Sequence, residues 1–271
     1  MHENKNALLE SAMRAGYGAR GFVYLVIGAL AVFAAVNGGE AEGSTGALNY
    51  LSRQPFGVVM VSAVAAGLFG YALWRFADAA FDLDDEGSDA RGLGARFGQF
   101  LSGASHAFLG ATATAIAIKG TQSEDNSAAN WSAAVMGEPM GRILVMVAGG
   151  VTLGVGVYLF YKSWNATYRR EIRRTTWTER LAPFVRFGLV AHGFVLLIIG
   201  GAILYAGWSV NPEHAKGVGE ALAILETRPF GRILLGVTGA GLAAFSIYCF
   251  VQARYRLSPQ LRAGDLPTLA T

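Results

Sequence analysis

Two histidines, His106 and His192, fall inside long apolar stretches, where imidazole is able to ligate metal or haem and to relay protons. Three polar residues, Asp78, Lys162 and Gln252, stand 23 residues after three prolines, and Trp74, Tyr158 and Tyr248 precede them by four. The polar set is expected at the inner mouth of a helical bundle and the aromatic set in an interfacial belt. Between the apolar stretches lies an acidic segment with Asp82, Asp84, Asp85, Glu86 and Asp89. It has the alternating carboxylates of a calcium loop but reaches Gly94 with no bidentate glutamate, so a solvated acidic loop is expected. A second segment places Arg169, Arg170, Arg173 and Arg174 within six residues, close to Trp177. Such a cluster can orient a membrane chain and can hold anionic lipid headgroups. No phosphate-binding loop, nucleophile elbow or H-E-x-x-H zinc motif occurs in the sequence.

These residues sit in a chain of 271 that is 53% hydrophobic and 15% charged, with mean hydropathy +0.37. A soluble domain carries about 25% charge, so lipid is the expected solvent. Gly and Pro together make 43 residues with no Gly-X-Y period, which excludes collagen. A single cysteine, Cys249, precludes an intrachain disulfide and a cysteine-based metal cluster. The formal charge of +3 does not suggest a nucleic-acid binder.

Six runs approach the roughly 20 residues that a helix needs to cross a bilayer core. They cover 15–36, 56–76, 97–118, 143–161, 187–210 and 233–251. An even number puts both termini on one side, and no cleavable signal peptide is evident. With an internal N-terminus, sixteen Lys and Arg residues fall inside and six outside, so both termini are expected in the cytoplasm of a bacterial inner-membrane protein.

The elements that carry the candidate residues repeat three times. Residues 14–28 align without gaps on 96–110 and 186–200, with four invariant columns. These are Arg14, Arg96 and Arg186; Gly16, Gly98 and Gly188; Gly21, Gly103 and Gly193; and Gly28, Gly110 and Gly200. A second signature opens each even span, as Pro55-Phe56-Gly57, Pro139-Met140-Gly141 and Pro229-Phe230-Gly231. The arginine is expected to anchor on lipid phosphate, and the proline to occupy a first helical turn. Glycines at the third and fourth columns are seven residues apart, two turns, and so mark a face of close helix approach. Leu48 and Leu51 correspond to Leu222 and Leu225, which suggests short helices lying flat at the outer interface.

The expected fold is therefore an all-α integral membrane domain over 1–271. It has six transmembrane helices as three parallel two-helix repeats, 14–84, 96–170 and 186–256, around a pseudo-threefold axis, followed by a polar tail over 257–271. In the repeat frame His106 occupies position 11 and His192 position 7, about 6 Å apart in depth, and neither is a histidine in the other copies. Structural histidines are expected, with haem or metal ligation as the alternative.

On the R-x-G-x-x-x-x-G starts and P-[FM]-G turns the chain resembles the bacterial membrane proteins catalogued as domain of unknown function 1206, in which a two-helix unit occurs three times. The resemblance covers about 14–256. It supports the architecture, implies no reaction and supplies no catalytic residues. Three functions follow as expectations. The first is a non-enzymatic protein that binds membrane lipid or another hydrophobic small molecule, or assembles with a membrane-protein partner. A channel or transporter with a cavity on the axis is the second, and a haem-binding redox protein the third. Oligomeric state is left open.

Overall fold

The computed structural model describes residues 2–39, 41–120 and 127–257, so all but the first residue of the expected polar tail at 257–271 lies outside the described residues. Its long helices are α1 (His2–Asn37), α3 (Gly57–Phe81), α4 (Ala90–Lys119), α6 (Gly141–Trp164), α7 (Thr176–Ser209) and α9 (Gly231–Tyr255). All six are long and apolar enough to cross a membrane. Three short helices, α2 (Ser44–Ser52), α5 (Ser127–Met136) and α8 (Val218–Glu226), each precede an even span. This is a multi-pass, all-helical membrane protein.

Helix starts have local causes. Asp89 caps α4 by accepting from the Gly92 N–H at 2.8 Å, and Thr175 forms a capping box with Thr178 at the start of α7. The P-[FM]-G signature works differently from expectation. Proline stands two residues before the helix, and Phe56, Met140 and Phe230 adopt left-handed backbone at φ +62°, +64° and +62°. The glycine that follows has no room for a Cβ, which would run into the carbonyl of Ser52, Val135 or Glu226. The turn therefore selects glycine first, and proline stiffens its approach.

Each odd span lies along an even span of another repeat, α4 on α3 and α7 on α6, each following its partner in sequence, and α1 on α9, the first span on the last. Within repeats, α1 meets α3 and α7 meets α9, but α4 and α6 form no comparable interface. The order around the bundle is thus α4, α3, α1, α9, α7, α6, with an opening between its two ends.

Two of the repeat arginines, Arg14 and Arg96, are engaged by the protein itself, while Arg186 is exposed. Arg14 donates to the carbonyls of Ala253 and Arg254 at 2.9 Å, and Arg96 to those of Ala79 and Ala80 at 2.8 and 3.0 Å. These are last-turn carbonyls of α9 and α3 that no intrahelical N–H reaches. At the opposite end Arg142 does the same for Gly207 and Trp208 of α7. Leu48, Leu51, Leu222 and Leu225 also depart from expectation. They are buried with Val23, Ile27, Ala113, Ile116, Val195 and Ile199. Helices α2 and α8 therefore turn their leucines into the far half of the bundle instead of resting them on lipid.

Candidate functional site

The other half of the interior is polar. Arg20 of α1 points into the bundle, where Nη1 donates to Tyr71 Oη at 2.9 Å and Nη2 lies 3.5 Å from His192 Nε2. Its guanidinium carbon is 5.6, 5.3 and 5.1 Å from the ring centroids of Tyr24, Tyr71 and Phe245. His192 stacks on Phe245 at 4.1 Å and meets Tyr24 edge-on at 4.8 Å. His106 lies 4.5 Å from the Tyr71 ring and bonds through Nδ1 to the Ser102 carbonyl at 2.8 Å. Five spanning helices, α1, α3, α4, α7 and α9, thus meet around one guanidinium.

From Tyr71 the network runs toward the end where α1 begins and α9 finishes. Arg75 donates to Tyr71 Oη at 3.0 Å, to Tyr17 Oη at 2.9 Å and to Asp78 at 2.9 Å. Asp78 also receives the Asp84 N–H at 3.0 Å. Asp84 pairs with Arg256, whose second nitrogen approaches Glu171 at 3.4 Å, and Glu171 pairs with Lys162 at 2.6 Å. Gln252 bridges Glu171 and Tyr248 at 2.8 and 2.7 Å. Burial alone would push the Asp84 carboxyl up, but Arg256 and then Arg75 outweigh it and hold the group below the usual carboxylate range. Glu171 is likewise held down, with burial opposed by Lys162 and then Arg256. The bridge between Ile172 and Arg256, with the Arg173 N–H on the Tyr255 carbonyl at 2.8 Å, ties the basic loop to the end of α9.

Several expectations change here. Asp78 and Gln252 are 0% exposed and Lys162 is 7% exposed, so at this end of the bundle they are closed over by the loops that carry Asp84 and Glu171. Trp74 and Tyr248 are buried too, which leaves Tyr158 alone among the three aromatics on the surface. The acidic loop is divided in role. Asp84 faces inward, Asp82 accepts the N–H groups of Glu86 and Gly87, and Asp89 caps α4. In the basic loop Arg169 pairs with Glu179 at 2.7 Å, while Arg170, Arg173 and Arg174 are exposed.

The last two glycine columns lie at helix crossings, whereas Gly98 of the first column faces open space. A Cβ on Gly28 would stand 2.5 Å from the Ala243 nitrogen, and one on Gly200 2.6 Å from the Leu153 nitrogen. On Gly193 it would be 2.9 Å from the Gly156 carbonyl. Gly21 faces Phe250 at 2.9 Å, Gly103 faces Phe76 at 2.8 Å and Gly110 faces Phe69 at 3.3 Å. Nε2 of His192 faces a guanidinium, and no group of three His, Cys, Asp or Glu side chains able to hold a metal occurs among the described residues. A recess of about 750 Å³ between α1 and α3, lined by residues such as Ala15, Gly18, Ala63 and Gly70, is apolar and includes none of these polar side chains.

Arg20 is the central residue of this cluster, and a count of Lys and Arg by side does not single it out. Its signal was in the repeat frame. Position 7 is Arg20, Ser102 and His192, polar in all three odd helices although no two are alike.

The helices and their buried polar core define a multi-pass membrane protein built from three copies of a two-helix unit. The family described as Domain of Unknown Function (DUF1206) matches at residues 15–82, 97–166 and 187–256, and the chain belongs to it. An uncharacterized protein YxxB of Bacillus subtilis (strain 168) is 28% identical over 247 residues, covering 90% of each chain. No solved structure matches.

Proposed function

We propose that this is a non-enzymatic protein of the bacterial inner membrane, with both termini cytoplasmic, that binds lipid or another amphiphilic small molecule inside its helical bundle. The observation that carries the reading is the opening between α4 and α6, the one place where consecutive spans form no comparable interface. It faces lipid laterally, while leucines of α2 and α8 fill the far half of the interior. An amphiphile in the surrounding bilayer therefore has a sideways path to a half-polar, half-apolar core. Placing the termini inside rests on the excess of Lys and Arg at that end. Removing Arg20, Arg75, Lys162 and Arg256 from the count because they point into the bundle still leaves twelve against six.

The test is photocrosslinking with a diazirine-bearing acyl lipid in native membranes, followed by peptide mapping. Adducts are expected on Leu109 of α4 and Leu159 of α6, which pack against the interior. Adducts confined to outward residues such as Phe108 and Val157 would overturn the reading. A carrier is the second reading, favoured by the buried charges of Arg20, Arg75, Asp78 and Lys162, since ionisable residues within spans commonly mark transport paths. Flux of the bound amphiphile across proteoliposomes separates carrier from binder.

A further inference from the structure

Among the described residues, no carboxylate pairs with Arg20. The interior network holds four cations, Arg20, Arg75, Lys162 and Arg256, against three carboxylates, Asp78, Asp84 and Glu171. The other three cations each pair with a carboxylate, and Arg20 carries the excess. Its neighbours Tyr24, Tyr71 and Phe245 present ring faces, which attract the cation but supply no opposite charge. Arginine does not shed its proton, so this partly buried guanidinium stays charged and can take an anion.

Hydrogen bonding points the same way. A guanidinium only donates, so where Arg20 Nη2 meets His192 the Nε2 atom accepts and the imidazole proton sits on Nδ1. That Nδ1–H is buried with no partner among the described residues, and so is the Nε–H of Arg20. His192 itself is 3% exposed. Two unspent donors and one positive charge without a carboxylate therefore belong to one pair of contacting side chains. Arg20 lies six residues beyond Arg14, which holds the last carbonyls of α9, hence about 9 Å into the bundle from that end. Farther in, the interior is apolar, with Ile27, Ile116, Val195 and Ile199.

The geometry points to a binding site in which Arg20 and His192 hold the singly charged, two-oxygen head of a membrane amphiphile, a fatty carboxylate or a phosphodiester. Its chain leaves the bundle between α4 and α6. This rests on the amphiphile-binding reading above and adds the chemistry of the head. One negative charge balances the network, and its oxygens are acceptors for donors that have none.

The experiment is native mass spectrometry of the full chain in a maltoside detergent, with two matched pairs of probes. Oleate is compared with oleyl alcohol, and phosphatidylglycerol with phosphatidylcholine. Wild type is expected to retain at least one anionic probe about tenfold over its neutral partner. Arg20→Gln should bring that ratio to within about twofold while leaving neutral-probe retention unchanged, and Arg20→Lys should fall between. Acetate at millimolar concentration should displace neither anionic probe.

Retention of none of the four probes would overturn the amphiphile reading itself. Equal retention within both pairs, or an Arg20→Gln variant that keeps the preference, would overturn only the assignment of the head. Displacement by acetate would replace the amphiphile with a free anion and overturn the placement of the chain. His192→Phe keeps the ring stacked on Phe245 and the charge on Arg20, so it covers the case in which Arg20→Gln does not accumulate. It should lose at least about threefold of the preference through the missing Nδ1–H, and an unchanged ratio refutes the site.

Discussion

Replacing Asp84 by asparagine tests whether the buried ion network holds the loops to the bundle. The substitution keeps the side chain's size and removes the carboxylate that faces Arg256 and lies 3.7 Å from Arg75. Stripping one partner from a buried pair costs about 3–5 kcal/mol, because the remaining charge is left enclosed. Glu171 still stands 3.4 Å from Arg256 and Asp78 still pairs with Arg75, which sets the expectation at the low end, about 3 kcal/mol. For a chain of this length that is a fall in Tm of about 6–12 °C. Cys249, the sole cysteine and fully buried, makes the assay direct, since a thiol-reactive fluorophore reports its exposure as the protein melts in detergent.

Two further readings constrain the argument. The double variant Asp84→Asn, Arg256→Gln removes both charges and should recover at least half of the loss, a coupling of about 1–3 kcal/mol. The pH profile carries a sign. Folded Asp84 and Glu171 hold their protons less tightly than in the unfolded chain, so they stabilise the fold above the ordinary carboxylate pKa of about 4. That stability is lost as pH falls through the lowered values, and the Asp84→Asn variant should lose less of it on acidification than wild type. A single variant that melts within about 2 °C of wild type, or a double variant whose loss is the sum of the singles, would refute the network's structural role.

Gly28→Ala should lower stability by about 2 kcal/mol, since its Cβ meets the α9 backbone, whereas Gly18→Ala, with open space around it, should be neutral or slightly stabilising; melting curves compare them. At the P-[FM]-G turn, Met140→Gly should raise Tm slightly by relieving the left-handed backbone of an exposed residue, while Gly141→Ala should prevent accumulation of folded protein. Cysteines at Ser44 and Asn211 should react with an impermeant maleimide from outside intact cells and those at Ser88 and Thr175 should not; the reverse pattern inverts the orientation. Replacing Arg170, Arg173 and Arg174 by glutamine should weaken retention of anionic lipid by about 1 kcal/mol per residue, and adding Arg169→Gln should change little, because Glu179 already engages it. Lipid profiles of the purified variants decide this.

The six spans and the repeat were legible because both rest on local patterns. An apolar run long enough for a bilayer and an arginine or glycine recurring in register survive in one dimension. The partners of those residues did not show. Arg14 and Arg96 look like interfacial anchors until an even span of another repeat is seen to end beside each, with last-turn carbonyls facing the guanidinium. Leu48 and Leu222 have the spacing of a surface helix, and only the bundle's depth shows that their leucines fill its far half. Asp84 and Glu171 belong to different loops, 87 positions apart, and meet only because Arg256 at the end of α9 reaches both.

The polar centre was hidden for a different reason. Identity between copies reports what each copy needs for itself, such as a glycine at a crossing or a turn before a span. The residues that face the middle of the bundle touch one another, so selection at these positions acts on the set and has no need of three equal members. Arg20, Ser102 and His192 share repeat position 7 and differ in every copy, yet His192 sits beside Arg20, and the carbonyl of Ser102 holds the His106 ring that packs on Tyr71. Tyr24 and His106 share position 11, and Tyr24 lies against the guanidinium directly while His106 reaches it through the Tyr71 ring. In a chain built from parallel repeats, a column that is polar throughout and identical nowhere is therefore the place to look for ligand chemistry. Here that column contains the one interior cation without a carboxylate partner among the described residues.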